Sequence, residues 1–388
     1  MQTVELADGV AELPRDEWNA LVGEESPFLE WDWLASLEHA GTVGANTGWH
    51  PKPLVIRDEN RLIAACPLYL KGNSAGEFVF DHAWADAAGR AGVPYYPKLL
   101  VGVPFTPVTG ARFLLAPGVD RPETIRLLGS ALRQICRNND MSSVHINFCT
   151  PEEVDALSST GDSAEAADTN DYQLRVGFQY HWQNHDFESF DDYLAQFRSK
   201  RRNQIKRERR ELDKQGVEIE ALVGDEIADD LFDPLYQCYL STIESRYWGR
   251  QYLNREFFAL LSERFRNRLC FIVARKDGEV IAGTTNVVKG GVLYGRYWGA
   301  LMPARHLHFN VCYYAAIEHC IHAGLERFEP GAGGDYKYLR GFDAQPTHSL
   351  HYIAEPGFAR AVARFLAAER EDAREIIDHL RENRVLKS

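Results

Sequence analysis

No stretch of the chain approaches the roughly 18 consecutive apolar residues that a membrane-spanning helix requires. The opening residues, Met1 to Asp8, have neither a basic n-region nor an apolar h-region, so they do not read as a secretory signal. The seven cysteines, at 66, 136, 149, 238, 270, 312 and 320, form no C-x-x-C pair, and their number is odd. Reduced, buried thiols in a cytoplasmic setting are therefore expected. Cys312 and Cys320 lie near His319 and His322, but in a helix pattern at poor ligand spacing, so no metal site is expected. Positive charge is also scarce. A net charge of −13 excludes a general nucleic-acid coat protein, which carries a basic field, while leaving room for one local basic site. Gly-x-Ser-x-Gly, His-Glu-x-x-His and a Walker A loop are all missing. Their absence points away from a covalent hydrolase and towards direct transfer between two bound substrates.

What the chain does have is apolar content for a substantial interior. Its 388 residues are 45% hydrophobic and 12% aromatic, enough for two domains. An internal repeat supports that division. Val55–Ala65 aligns with Val273–Gly283, 218 positions on (273 minus 55), sharing Val-x-Arg, four free positions, an aliphatic, Ile, Ala and a small residue. Each copy reads as strand, polar turn, strand, and Lys71 and Lys289 close the copies at the same offset. A second match pairs Phe80–Ala85 with Tyr294–Gly299 at an offset of 214 (294 minus 80). Together they suggest a duplicated domain rather than a solenoid. Between the copies, residues 151–171 hold seven acidic residues and no Lys or Arg, and include a Ser/Thr/Gly-rich turn. This places a boundary between a first domain over 1–165 and a second over 172–388. Helices are expected over Glu123–Asn138, Phe190–Gln215, Asn254–Arg266, Phe309–Ala323 and Phe358–Leu380. Strands are expected over Ser143–Phe148, Leu269–Ala274, Val280–Val288, Val292–Trp298, Arg327–Glu329 and His348–Ile353. The fold class is mixed α/β, each half a mixed sheet flanked by helices.

Four constellations are suited to chemistry. Glu329–Phe342 runs from a strand into a glycine-rich loop with Lys337 and Arg340, where backbone amides and two cations converge on an anion. As loop cations these two are expected to be exposed, so their loss costs little stability, about 0–1 kcal/mol. Strand alternation places Arg296 and Trp298 on one face and Tyr297 on the other, with His308 and Asn310 where a helix begins. The competing reading there is a core Trp and surface histidines. Ser199–Arg210 concentrates positive charge, with Arg202, Lys206, Arg209 and Arg210 on one helix side. This reads either as a phosphate or RNA grip or as a solvated face. In the first half Trp84, Tyr96, Lys98 and Phe105 fall among prolines and aromatics that suit a rigid loop lining a cleft, or a well-packed connection.

These segments carry a resemblance. Tyr294–Gly299, His306–Phe309, Cys312–Glu318 and Lys337/Arg340-Gly341-Phe342 are similar to the FemAB-like N-acyltransferase family of the GNAT superfamily, peptidoglycan biosynthesis or recognition proteins. So are Trp84-Ala85-Asp86, Tyr95–Lys98 and Val103–Gly110 in the first half. The resemblance covers nearly the whole chain and implies two GNAT-like domains. Its ligases take an amino acid from aminoacyl-tRNA and add it to a muropeptide precursor. The long helical arm that some members use for tRNA has no counterpart in 216–254, and the usual acetyl-CoA loop before a helix is not visible either.

The expected activity is amide-bond formation by direct attack of an amine on an activated acyl donor, on a peptidoglycan-precursor-like acceptor. Lys337 is expected nearest the oxyanion, with Arg296 and Arg340 as phosphate or carboxylate clamps and Glu329 or His308 deprotonating the amine. Trp298, Asn310, Tyr96, Lys98, Phe105, Trp84, Arg202 and Lys206 complete the expected substrate contacts. No permanently bound cofactor and no membrane span are expected. Acyl-CoA or aminoacyl-tRNA is the co-substrate, and a small molecule or peptide the acceptor. A non-catalytic module binding a cell-wall fragment or nucleotide sugar, and an RNA-binding protein led by the basic helix, are the alternatives.

Overall fold

The computed structural model describes residues 2–158, 171–245 and 249–387. The expected boundary segment falls largely on 159–170, outside the described residues. Where the sequence suggested two successive halves, the chain packs as two compact units, 1–178 with 346–377, and 179–345 with 378–388.

The first unit contains β1 (Gln2–Leu6), β2 (Trp49–Pro51), β3 (Leu54–Asp58), β4 (Arg61–Cys66), β5 (Leu68–Lys71), β6 (Lys98–Val101), β7 (Leu114–Leu115) and β8 (Ser143–Cys149). The chain passes to the second unit within β9 (Gln173–Gln183). There follow β10 (Val217–Val223), β11 (Leu269–Lys276), β12 (Glu279–Lys289), β13 (Val292–Ala300) and β14 (Arg327–Glu329), and β15 (Asp343–Ile353) returns to the first unit. That return is driven by pairing and packing that no local pattern announces. Residues 348–353 of β15 run antiparallel to β8, and Phe358, Val362 and Leu366 of the closing helix Pro356–Glu382 bury against Trp84 and Tyr95.

The repeated hairpins are equivalent in detail. Val55 faces Ala65 and Val273 faces Gly283. Both hairpins shift register at the same step, between Ile56 and Arg57 and between Ala274 and Arg275. The turn residues Glu59-Asn60 and Asp277-Gly278 all have positive φ (47°, 74°, 53°, 84°), as two-residue turns matched to strand twist require. The residue left over by each bulge, Ile63 or Ile281, offers its carbonyl to a strand-end amide, Ala116 at 2.9 Å or Leu301 at 2.7 Å. Arg57 reaches Glu5 on β1 and the Asn60 carbonyl; Arg275 reaches Glu220 on β10 and the Gly278 carbonyl.

Past the hairpin the copies diverge. Pro67 ends β4, whereas β12 runs on without a break and shows only a register shift between Thr285 and Asn286 at the corresponding place. The second match, Phe80–Ala85 with Tyr294–Gly299, is accidental: the first segment enters the helix His82–Arg90 and the second is strand. Gly299 has its own reason. A Cβ there would lie 1.6 Å from the Cys238 carbonyl oxygen, so the helix Phe232–Glu244 can cross β13 only over a glycine.

Most expected elements form within a residue or two of their anticipated ends, with Asn254 capping its helix through the Phe257 amide. Two helices differ. Phe190–Gln215 is two helices, Phe190–Ala195 and Ser199–Asp213. Phe309–Ala323 contains a π-helical segment, Asn310–Tyr314, between Leu307–Phe309 and Ala315–His322. Lys98 is not in a loop but opens β6, opposite Lys71 of β5.

Candidate functional site

In the second unit β13 and β14 run parallel for only three pairs, ending at Tyr294 and Glu329, and β13 continues alone on that side. On the other side β9 lies antiparallel, Arg327 facing Gln183 and Phe328 facing Trp182. One step further His181 comes opposite Glu329, with Nε2 3.8 Å from Oε2. The Glu329 carboxyl is buried. Oε1 accepts from Arg327 Nε at 2.9 Å, while Oε2 and His181 Nε2 have no hydrogen-bond partner among the described residues. Burial pushes Glu329 up to about 7, against the pull of Arg327. Burial and the charges of Arg327 and Lys337 bring His181 down to about 3, so it is neutral.

The glycine-rich loop then curls back. Gly334, at φ +89°, precedes a short 3-10 turn, Asp335–Arg340. This turn carries Lys337 inward, where its ammonium donates to the Gly331 carbonyl at 2.6 Å and the Ala332 carbonyl at 3.4 Å. The expectation of exposed cations is overturned: Lys337 and Arg340 are only 2% and 3% exposed. Burial lowers Lys337 to about 8. Its positive charge, with that of Arg340, adds to burial in bringing His308 to about 4.

Arg340 is held by groups whose role the sequence did not reveal. Its guanidinium stacks on Phe309, 3.5 Å from the ring centre. Nε donates to Tyr314 Oη at 3.1 Å, and Nη2 lies 3.4 Å from Glu208 Oε2. Tyr314 itself donates to that Glu208 oxygen. The π-helical segment thus delivers Tyr314, and the helix Ser199–Asp213 delivers Glu208, to brace the loop. Arg340 is thus engaged by Phe309, Tyr314 and Glu208, not exposed as a free cation.

The other expected residues divide. Trp298 and His308 come together, ring centres 4.8 Å apart, while Tyr297 packs on Tyr239 and Phe258. Arg296 lies half-buried on β13. Asn310 is buried, and its side-chain amide donates to the Glu208 and His306 carbonyls. Arg202 is half-buried, and Lys206 pairs with Asp191 at 2.9 Å rather than standing ready for phosphate. In the first unit Lys98 is wholly buried, its ammonium bound to Ser74, Glu77 and Asp81 at 2.9, 2.9 and 2.5 Å. Burial opposes that charge, but Glu77 and Asp81 outweigh it and raise the Lys98 pKa. Phe105 packs on Trp49, Trp84 on His351, and Tyr96 bonds Ser74. Trp84, Lys98 and Phe105 are thus buried in the interior of their unit, and Tyr96 is half-buried at its edge.

Two parallel-strand units of this kind, each with a bulged hairpin leading towards a strand that has a parallel neighbour, make a tandem GNAT-type α/β fold. The chain belongs to the FemAB-like family, described as peptidoglycan biosynthesis/recognition, whose profile matches residues 9–388. Among solved structures it is similar to FemX, with TM-score 0.54 and 10% identity, covering 94% of this chain and all of that one. L-PGS from Bacillus licheniformis follows at TM-score 0.52 and 8% identity, over 92% and 97% of the two chains. A protein of unknown function from Bacteroides thetaiotaomicron matches at TM-score 0.51 and 10% identity, over 91% and 100%. At these identities the likeness is one of fold. No curated protein sequence matches significantly. Among the described residues no helix is long and apolar enough to cross a membrane.

Proposed function

We propose that the second unit is the catalytic one and that it forms an amide by acyl or aminoacyl transfer onto an amine of a peptidoglycan-precursor-like acceptor. The observation that supports this reading is that one strand-to-loop segment carries both a buried carboxyl, pushed up to about 7, and a buried ammonium, lowered to about 8. Both groups change charge close to neutral pH, as a proton acceptor and an oxyanion partner require. The amine nitrogen attacks the acyl carbonyl, and the new N–C bond forms. Glu329 takes the amine proton through its unpartnered Oε2. Lys337 faces the developing oxyanion, exchanging its two carbonyl partners for it. The C–O or C–S bond to the donor then breaks, and the leaving oxygen or sulfur takes the proton from Glu329. Glu329 serves better than His308, because a base near 7 holds its proton more strongly than one near 4. Family membership supports transfer as the class of reaction. Acyl-CoA and aminoacyl-tRNA are the two candidate donors. The test is single-turnover transfer of labelled acyl or aminoacyl group with wild type, Glu329→Gln and Lys337→Met. Transfer by wild type that both variants retain in full removes this site from the chemistry.

A further inference from the structure

The cations at the start of the helix Ser199–Asp213 belong to a different place in the second unit. Arg198, Lys200, Arg201 and Arg384, with Gln204 and Asn383, line a pocket of about 310 Å³. None of the lining groups is acidic, and the volume lies at the lower end for small-molecule sites. Arg384 is shared with Asp343, 3.2 Å away. Arg201 donates to Gln204 Oε1 at 2.9 Å, and Gln204 is aimed by its own bond to Glu208 at 2.8 Å. Among the described residues Arg198 and Lys200 pair with no carboxylate. The helix starts here with no side-chain cap and no acidic residue in its first turn, so neither answers its positive end.

Further along the same helix the charges are neutralised: Lys206 by Asp191, Arg207 by Glu211 and Arg209 by Glu318. Among the described residues Arg202 and Arg210 also form no ion pair, but neither lines the pocket, which gathers four cations in one concave spot of a chain of net charge −13. An extended nucleic-acid backbone needs a row of unpaired cations. A compact anion needs only this cluster, where arginine forks match phosphate oxygens.

We propose that this pocket binds the phosphate or diphosphate ester of a small molecule, clamped by Arg198, Lys200 and Arg201. The inference goes beyond the proposed reaction, because it concerns a binding site that contains neither Glu329 nor Lys337. The same chemistry is presented by coenzyme A and by a nucleotide sugar.

Calorimetric titration of the full chain with inorganic pyrophosphate, at fixed ionic strength, tests it without any transfer assay. Saturable binding is expected. It should weaken roughly ten-fold or more in R198E/K200E, as loss of charge-assisted bonds implies, and persist in R210E on the same helix. Thermal unfolding reports whether the double variant is folded; if it is not, K200A alone carries the test. Competition with pyrophosphate by coenzyme A or by UDP names the source, and competition by neither counts against the proposal. Absence of saturable binding, or equal loss in R210E, overturns it. So does a short single-stranded RNA that binds more tightly than either small molecule and is lost in R198E/K200E.

Discussion

Glu329 and His145 hold the same position in their two units. Each lies on the strand that runs parallel to the one after the hairpin, Glu329 beside Tyr294 and His145 beside Leu100. Each faces a histidine across an antiparallel partner, His181 or His351. What surrounds them differs. His145 bonds His351 at 2.7 Å and Ser143 at 2.8 Å, under the rings of Trp84 and Tyr95. Burial, with Lys98 adding to it, brings His145 to about 3. After β8 the chain turns into the helix Pro151–Leu157, closed by a Thr150–Glu153 capping box. After β14 it runs instead into the glycine-rich loop that folds Lys337 back. One framework thus carries a pair of histidines under two aromatic rings in one unit and, in the other, a buried carboxyl on the strand that leads into the lysine-bearing loop. On the proposed reading, what separates the two units is the residue on the strand together with the segment that follows it, since Glu329 ends β14 and the loop after it supplies Lys337.

Each side of this comparison can be broken separately. The largest effect is expected from Lys337→Met and Glu329→Gln, with transfer rates falling about 10²–10³-fold for loss of an oxyanion partner or a proton acceptor; rapid-quench kinetics measures it. Next comes Lys98→Met. Removing the cation leaves Glu77 and Asp81 buried without it and costs about 3–5 kcal/mol. Denaturant unfolding measures the loss, while the rate per folded molecule stays at wild type. A rate defect there would give the first unit a catalytic share. The pH profile is the third test. Transfer requires Glu329 without its proton and Lys337 with its proton. The rate should therefore rise as pH passes about 7 and fall as it passes about 8, and Glu329→Gln should lose the acid limb. The smallest effect should come from Arg57→Ala and Arg275→Ala. Arg57→Ala removes pairs with Glu5 and Glu17 and Arg275→Ala the pair with Glu220, each worth about 0–1 kcal/mol, so the two losses should differ by no more than the extra Glu17 pair if the hairpins are true equivalents.

What the sequence made legible was local. The hairpins, their turns and the Arg-to-turn bonds all fall within eleven consecutive residues, and the 218-residue offset exposed them. Glu329 and Lys337 were legible because strand and glycines adjoin them. The accidental match at Phe80 shows the limit of the same method: six residues resemble a strand that they do not form. Glu208 was missed because its partner Arg340 is 132 residues away. A signal was present, since Glu208 falls on the same helix side as buried Ile205 and Leu212, a charge on an apolar stripe. Lys98 was misread because a lysine among prolines and aromatics looks like a rim residue, and its carboxylates Glu77 and Asp81 lie 21 and 17 positions earlier.

The π-helical segment Asn310–Tyr314 acts as a phase adjuster in its helix. An α-helix turns about 100° per residue, so a surplus residue absorbed in one wide turn rotates everything beyond it relative to what precedes it. His308, before the segment, packs at a tilt against Trp298; Tyr314, at its end, reaches Glu208 and Arg340. Deleting one residue from 310–314 would leave a regular helix of nearly the same length and composition, with its second half facing another direction. The aromatic wall and the brace of the lysine-bearing loop are thus kept in step by a single extra position, and the loop's geometry is encoded in a count of residues as much as in their identities.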